Sequence, residues 1–258
     1  SRVPPTGDPA CSVVNTSTQL STERVADGED SNAKPGPSTP VLTFGSLARA
    51  AYCPRQYYYA RQEGGDEPPP AVRARRDLAF RYPALRRASD AELADEPIER
   101  SPDAYRTALD RLADRADWDG LTDPTDRELL LTGRECRGIA HKVLAGDPPI
   151  PTFVSPGEPP ARGVWRPQRV RAVAMAKALA WERGREVPAA LVEYPAHGVV
   201  REVRLTTRNR AAYRETVRTL GDLDGPPPRI DDEAKCDACD YREECGVRTR
   251  SLRSLLGL

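Results

Sequence analysis

The chain of 258 residues carries 39 basic and 39 acidic side chains, so its formal net charge of zero gives no indication of a polyanionic partner. A hydrophobic fraction of 38% allows a core, and the mean hydropathy of −0.63 is typical of a soluble protein. No apolar run approaches the ~20 residues that cross a bilayer, and the N-terminal sequence lacks a signal-peptide pattern. The sequence therefore predicts a cytoplasmic protein with no membrane partner.

The charges are unevenly distributed along the chain. Basic blocks at residues 49–87 and 162–185 flank an acidic block at residues 89–135. Such a distribution is compatible with a phosphate-binding face opposite an acidic, solvated one. Ordinary solvated helix faces would give the same pattern.

Residues 1–40 are rich in Ser, Thr, Pro, Gly and Asp and have no apolar periodicity. This composition predicts a disordered tail, in which Cys11 is incidental. We expect one folded domain over residues 41–258, with a cysteine-rich segment at 231–250.

Helical periodicity dominates the first half of this domain. The pattern predicts a helix over residues 44–62 with Ser46 as its cap, a loop over 63–70, a basic helix over 71–82 and an amphipathic helix over 101–117.

Strand patterns appear in the second half. Residues 138–146 and 149–155 read as one hairpin and residues 189–196 and 199–206 as another, with an Ala-rich helix over 167–183 between them. A further helix, capped by Thr207, is predicted to run to about Leu220. This order predicts an α/β (α+β) domain with a small mixed sheet flanked by helices.

Three cysteines lie close together in polar sequence, in the order Cys236-x2-Cys239-x5-Cys245. A CxxC pair brings two thiolates to one metal centre, and the fourth ligand must come from elsewhere. Cys53 is the first candidate, and Cys136, which is more typical of a small buried residue, is its competitor. Because disulfides are disfavoured in a cytoplasmic chain, the pattern favours a metal site over disulfides or buried free thiols.

The spacing separates zinc from iron–sulfur only weakly. A structural zinc ion usually draws on two closely spaced pairs of ligands, whereas here one distant cysteine faces three clustered ones. This division slightly favours an iron–sulfur knot joining the N-terminal and C-terminal parts of the domain, and zinc stays open.

These features resemble the CRISPR-associated RecB-type exonucleases, the fourth Cas family, which are relatives of the nuclease domain of the Dna-two helicase-nuclease and of bacterial AddB. The resemblance rests on the CPxxYYY segment, the hairpin–helix–hairpin centre and the final CxxC-x5-C, and it covers residues 42–250. It implies a 4Fe–4S cluster on Cys53, Cys236, Cys239 and Cys245. It also implies a PD-(D/E)XK restriction-endonuclease-like core that acts on single-stranded DNA ends with Mg or Mn, with CRISPR integration proteins as partners in spacer acquisition.

The nuclease motif implied by the resemblance is incomplete. It needs an acid on the first central strand and Glu-x-Lys on the next, so that two carboxylates hold the divalent ion and the Lys orients or activates water. Here His141 stands at the position of the first acid, Phe153 at that of the Glu and Ser155 at that of the Lys. Of the Gln-x-x-x-Tyr motif that follows, Gln168 is present and Ala172 replaces the Tyr.

Two explanations stay open for this departure. The metal ligands have moved to other acids, or the chain binds DNA without cutting it. The acids nearest in sequence are Glu135, Asp147, Glu158 and Glu193. Solvation at loops and strand edges explains those acids equally well, and His141, the one candidate catalytic residue, is as compatible with packing as with metal binding. His197 is expected to be structural.

The helix over 167–183 is the predicted DNA-binding element, because basic side chains around it could hold backbone phosphates. The residues predicted to bind nucleic acid are Arg166, Gln168, Arg169, Arg171 and Lys177. A solvated helix at the border of the sheet is the alternative. Three function hypotheses result: a RecB-like iron–sulfur DNA exonuclease, a degenerate DNA-binding or adaptor protein of the same fold, and a zinc-stabilised interaction domain.

Overall fold

The computed structural model describes residues 42–63 and 68–246. The tail predicted over residues 1–40, with Cys11, lies outside the described residues. So do residues 64–67 of the loop predicted over residues 63–70 and the part of the predicted domain that follows residue 246.

A six-stranded mixed sheet forms the centre of the protein. Its strands are β1 (Leu42–Thr43), β2 (Asp126–Thr132), β3 (Cys136–Leu144), β4 (Ile150–Val154), β5 (Ala189–Tyr194) and β6 (Val199–Arg204). The order is β1-β3-β4-β5-β6. Strand β2 pairs with the edge of β3 that faces away from β1 and β4. Both β1–β3 and β4–β5 are parallel pairs, whereas β2–β3, β3–β4 and β5–β6 are antiparallel.

The two hairpins predicted from the sequence are confirmed as β3–β4 and β5–β6. The second hairpin turns through Pro195–His197 and Gly198. Gly198 has a left-handed φ of 61°, and a Cβ atom there would lie 2.9 Å from Cβ of Ala108, so both backbone conformation and space require glycine. Strand β2 was not predicted, and it places an extra antiparallel strand at the edge of the sheet.

Ten helices lie within the described residues. They are α1 (Phe44–Tyr52), α2 (Pro54–Ala60), α3 (Pro70–Asp77), α4 (Tyr82–Arg87), α5 (Asp90–Ala94), α6 (Pro102–Ala113), α7 (Trp118–Thr122), α8 (Arg166–Arg183), α9 (Thr207–Gly221) and α10 (Glu233–Asp237). The predicted helix over 71–82 ends earlier, at Asp77, and continues as a 3-10 turn over Leu78–Phe80. The α/β class with helices on both sides of a mixed sheet is confirmed.

The helix predicted over residues 44–62 is two helices, broken at Cys53. Cys53 is extended, with φ −155° and ψ 115°, because the ring of Pro54 disfavours a helical conformation in the residue before it. The predicted cap at Ser46 is also wrong, since Oγ1 of Thr43 accepts the hydrogen bond from the amide of Ser46. In the same way Thr206, rather than Thr207, caps α9.

Two cores cover the two faces of the sheet. On one face α1, α8 and α9 pack against β3, β4 and β5, and the buried side of α8 is rich in Ala, which lets α1 approach closely. On the other face the segment from Leu78 to Leu121 packs against Leu144, Leu191 and Val200. Successive residues of one strand point into different cores, because side chains alternate between the two faces of a β-strand.

A fully buried ion pair joins the sheet to the segment that packs on its second face. Nζ of Lys142 lies 2.8 Å from Oε2 of Glu193, and it also donates to the carbonyls of Ala79 (2.7 Å) and Leu121 (2.8 Å). The hydroxyl of Thr152 donates to the other carboxylate oxygen of Glu193 at 2.5 Å. Burial lowers the pKa of Lys142, and the Glu193 carboxylate opposes that shift. The pair is satisfied by protein groups, so its role is structural.

We expect Glu193→Gln to lower the free energy of unfolding by about 3–5 kcal/mol, because the buried ammonium of Lys142 loses its counter-charge. Urea unfolding measures the loss. The control is Lys142→Met/Glu193→Gln, which removes the buried charge as well and should lose less than the single variant. A single variant as stable as the parent protein would contradict the role given to this pair.

Candidate functional site

The four cysteines singled out from the sequence lie at two distant parts of the chain. Cys53 occupies the extended break between α1 and α2. Cys236 lies in α10, and the turns after it bring Cys239 and Cys245 back, with amide hydrogen bonds from Cys239 to the carbonyl of Cys236 (3.3 Å) and from Cys245 to the carbonyl of Tyr241 (2.9 Å). All four side chains are half-buried.

These four cysteines line one cavity. The cavity is small, about 20 Å³, and Tyr52, Tyr59, Ile230 and Tyr241 are among the other residues that line it. The structure therefore brings the N-terminal cysteine to the same cavity as the three C-terminal ones. Among residues 42–63 and 68–246, no group of three or more His, Cys, Asp or Glu side chains meets the spacing of direct ligands to one ion.

The thiols at this cavity interact electrostatically. Burial raises the pKa of Cys236, and the charges of Cys245, Cys53 and Cys239 raise it further. Four thiolates gathered in this way repel one another unless a positively charged group lies between them. By donor type, four cysteine sulfurs suit an iron–sulfur cluster or a structural zinc ion, but among the described residues they are not spaced as direct ligands of one ion.

Direct contacts also join the two parts of the chain around the cavity. Nη1 of Arg55 donates to the carbonyl of Pro227 at 2.9 Å. The rings of Tyr59 and Tyr241 stack with centroids 6.2 Å apart, and the hydroxyl of Tyr241 donates to the carboxylate of Glu63. Of the three tyrosines in the CPRQYYY segment, only Tyr59 lines the cysteine cavity, and Tyr57 packs against the core of the sheet instead.

Cys136 lies elsewhere. It is 1% exposed in β3, with Sγ 3.5 Å from the hydroxyl of Tyr213 and 3.8 Å from the carbonyl of Ala174. Burial raises the pKa of its thiol. These surroundings match the small buried residue that the sequence suggested as the alternative to a ligand.

The residues at the nuclease-motif positions come together where β3, β4 and α8 meet. His141 is buried, and its Nδ1 accepts a hydrogen bond of 2.7 Å from the amide of Val154. Burial, with added repulsion from Arg171, Arg76 and Lys142, lowers the pKa of His141 to about 3. His141 is therefore neutral at physiological pH, and one of its nitrogens is already engaged.

The neighbouring motif positions are apolar or neutral. Phe153 is 2% exposed, and Cζ of Arg171 lies 4.4 Å from the centroid of its ring. Nε2 of Gln168 donates to Oγ of Ser155 at 2.8 Å, and the hydroxyl of Tyr194 donates to Oε1 of Gln168 at 2.5 Å. Ser155 and Gln168 thus form a neutral hydrogen-bonded chain with Tyr194.

Sequence reasoning missed Glu128 in this region. The β2–β3 register pairs Arg127 with Lys142 and Leu129 with Ala140, so Glu128 lies between these two pairs, on the stretch of β2 that runs beside His141. Its φ of 48° is unusual for a residue with a side chain. Its carboxylate lies 4.0 Å from Nη1 of Arg76, and burial raises its pKa. Because β2 was not predicted, no sequence signal drew attention to an acid on it.

The four acids named from the sequence as alternative metal ligands have other surroundings. Glu135 accepts from the hydroxyl of Tyr213 at 3.0 Å, Asp147 pairs with Arg185, and Glu193 pairs with Lys142. The backbone carbonyl of Glu158 accepts from the indole of Trp165 at 3.0 Å. The structure thus gives three of these carboxylates a partner unrelated to metal binding.

The residues predicted to bind nucleic acid are distributed around α8 instead of sharing one face. Arg166 pairs with Glu215 (3.0 Å), Lys177 with Glu135 (3.7 Å), and Arg169 donates to the carbonyl of Val164 (3.3 Å). Arg171 and Gln168 point to the sheet, near Phe153 and Ser155. His197 lies in the turn of the second hairpin, as expected, and burial lowers its pKa.

Comparison with known proteins adds no assignment. No model of a protein family matches the chain, and no curated protein matches it. A search of the described residues for a helix able to span a membrane finds none.

The depressed pKa of His141 gives a pH-dependent stability with a definite sign. The folded pKa of about 3 lies below the usual 6.5, so His141 contributes stability above pH 6.5 that is lost as the pH falls toward 3. We expect about 2 kcal/mol of this contribution to be lost between pH 7 and pH 5. His141→Asn, which keeps an acceptor for the amide of Val154, should lose that much less than the parent protein in urea unfolding at the two pH values. Equal losses in both proteins would contradict the shift.

Proposed function

We propose that this chain is a RecB-like iron–sulfur protein that binds single-stranded DNA and has lost the metal-dependent cleavage of the nucleases it resembles. In this proposal Cys53, Cys236, Cys239 and Cys245 hold a 4Fe–4S cluster. The single observation that carries the proposal is the common cavity of these four cysteines. A distant cysteine and a C-terminal trio form one donor set only if the chain closes in this way.

The order of the elements supports the proposed PD-(D/E)XK relationship. The hairpin β3–β4, the helix α8 and the hairpin β5–β6 follow one another as in the family that the sequence resembles. Strands β3 and β4, which would carry the nuclease motif, are adjacent and antiparallel. The positions of that motif therefore meet in space, whatever residues occupy them.

The occupants of those positions support binding without cleavage. A metal-dependent nuclease holds its ion with carboxylate oxygens, and a buried phenyl ring at position 153 offers no such oxygen. Arg171 lies over that ring, and a guanidinium there favours an anion over a divalent cation. His141, neutral and already hydrogen-bonded to Val154, is a weak replacement for the missing acid.

Two arginines near His141 are suited to a phosphate of the DNA backbone. Burial lowers the pKa of Arg171 to about 10, and the positive charge of the nearby Arg76 adds to this shift. The charge of Glu128 opposes this shift of the Arg171 pKa. Within the described part of the chain, Nε of Arg171 is buried without a hydrogen-bond partner. An anion between the two guanidinium groups would supply that acceptor and relieve their repulsion.

The proposed cluster supplies a rigid, redox-active link between the ends of the domain. The chain itself provides the four thiolates, the aromatic cover from Tyr52, Tyr59 and Tyr241, and the hydrogen bond from Arg55 to the carbonyl of Pro227. These groups cover part of the four cysteine side chains and hold α2 against the C-terminal segment. Since ligands and fold depend on each other, loss of one thiolate should loosen both ends.

We expect Cys53→Ala to lose the absorbance near ~400 nm of the anaerobically purified protein and to lower its melting temperature, because metal binding is coupled to folding. Cys136→Ala is the matched control: it also removes a thiol but should keep the absorbance. Retention of the chromophore in Cys53→Ala together with its loss in Cys136→Ala would show that the fourth ligand is Cys136. A colourless parent protein with stoichiometric zinc would favour a zinc-stabilised domain.

We expect the parent protein to bind labelled single-stranded DNA and to leave it undigested with Mg or Mn. Arg76→Gln should weaken binding and reduce the slope of log affinity against log salt by about 0.7, the contribution of one phosphate contact on a single strand. Arg204→Gln, an exposed arginine of β6 paired with Glu202, is the control and should bind as the parent does. Mn-dependent digestion that His141→Ala abolishes would overturn the proposed loss of cleavage.

A further inference from the structure

Trp181 lies in the last turn of α8 with 61% of its surface exposed. Trp165, at the start of the same helix, is 55% exposed, but its indole donates to the carbonyl of Glu158. Among the residues that the structure describes, the indole nitrogen of Trp181 has no such acceptor. Burial in the core therefore does not explain this tryptophan, and its ring is available to a ligand.

Trp181 borders a groove between α8, α9, the loop before β3 and the loop before β5. The groove has a volume of about 510 Å³ and is open to solvent. Lys177 and Tyr213 form part of its wall, with Nζ of Lys177 4.9 Å from the centroid of the Tyr213 ring. It lies along the C-terminal half of α8, whereas Gln168 and Arg171, which face the sheet, belong to the N-terminal half.

The groove carries an excess of positive charge. Four of its lining residues are cations, namely Arg134, Lys177, Arg210 and Arg214. Lys177 pairs with Glu135 at 3.7 Å and Arg210 with Glu186 at 2.9 Å. No carboxylate in the described parts of the chain pairs with Arg134 or Arg214, so two guanidinium groups are left for an anionic ligand.

We propose that this groove binds a nucleotide unit of a single nucleic acid strand, with the base stacked on Trp181 and phosphate held by Arg134 and Arg214. An exposed aromatic ring beside a basic groove is the arrangement by which proteins bind single strands without reading sequence, since every base has a face that can stack. A duplex hides those faces, so its binding would not use Trp181. The proposal goes beyond the site at His141 and rests on the proposed function only in its choice of a strand over a free nucleotide.

The test is a titration of tryptophan fluorescence with oligo-thymidylate and, separately, with thymidine monophosphate, backed by fluorescence anisotropy of labelled oligonucleotide. We expect quenching in the parent protein and in Trp165→Leu. In Trp181→Leu we expect the quenching to be lost and the affinity for the oligonucleotide to fall about tenfold. Arg214→Gln should reduce the salt slope by about 0.7.

Trp181→Leu that binds the oligonucleotide as Trp165→Leu does would overturn the groove assignment and leave the proposed DNA binding intact. Absence of oligonucleotide binding in the parent protein would overturn the proposed function instead. In that case the monophosphate titration decides about the groove: quenching that depends on Trp181 supports a nucleotide site, and no quenching refutes it.

Discussion

The structure depends on the closure of the chain around one cavity, where the break between α1 and α2 meets the segment that follows α10. Pro54 forces Cys53 out of helical conformation and into the wall of this cavity. The contacts of Arg55 with Pro227 and of Tyr59 with Tyr241 hold the same two segments together. A short peripheral segment such as residues 229–246 has little apolar surface of its own to bury, so its attachment rests on these contacts and on whatever the four thiols bind.

The buried polar groups on the two faces of the sheet differ in how fully protein partners satisfy them. On the face of the second core, Lys142 and Glu193 are buried and satisfied by each other, by Thr152 and by backbone carbonyls. On the opposite face, Nε of Arg171 is buried without a hydrogen-bond partner among the described residues, and burial and nearby positive charges lower the pKa of His141. Both sites contain buried titratable groups, yet only the second has a charge imbalance that a ligand could correct. This difference is why the site at His141, and not the better-formed ion pair, is the proposed place for DNA.

Local sequence patterns predicted much of this arrangement. The hairpins β3–β4 and β5–β6, the helix α8 and the grouping of Cys236, Cys239 and Cys245 follow from alternation, periodicity and spacing within short segments. Strand β2 escaped prediction because its sequence does not alternate: Arg127 contacts Phe80 of one core while Leu129 packs against the other, and the change of face occurs at Glu128. The partners of Arg166 and Lys177 could not be predicted either, since Glu215 and Glu135 approach α8 only through tertiary packing.

Chemical analysis of iron and acid-labile sulfide in the anaerobically purified full-length protein tests the central claim most directly. A 4Fe–4S cluster on Cys53, Cys236, Cys239 and Cys245 requires about four of each per chain. Serine at any of these four positions should reduce both together. Protein that contains one zinc ion per chain and no sulfide, with the same four cysteines protected from alkylation, would contradict the cluster and leave the RecB-like assignment without its main support.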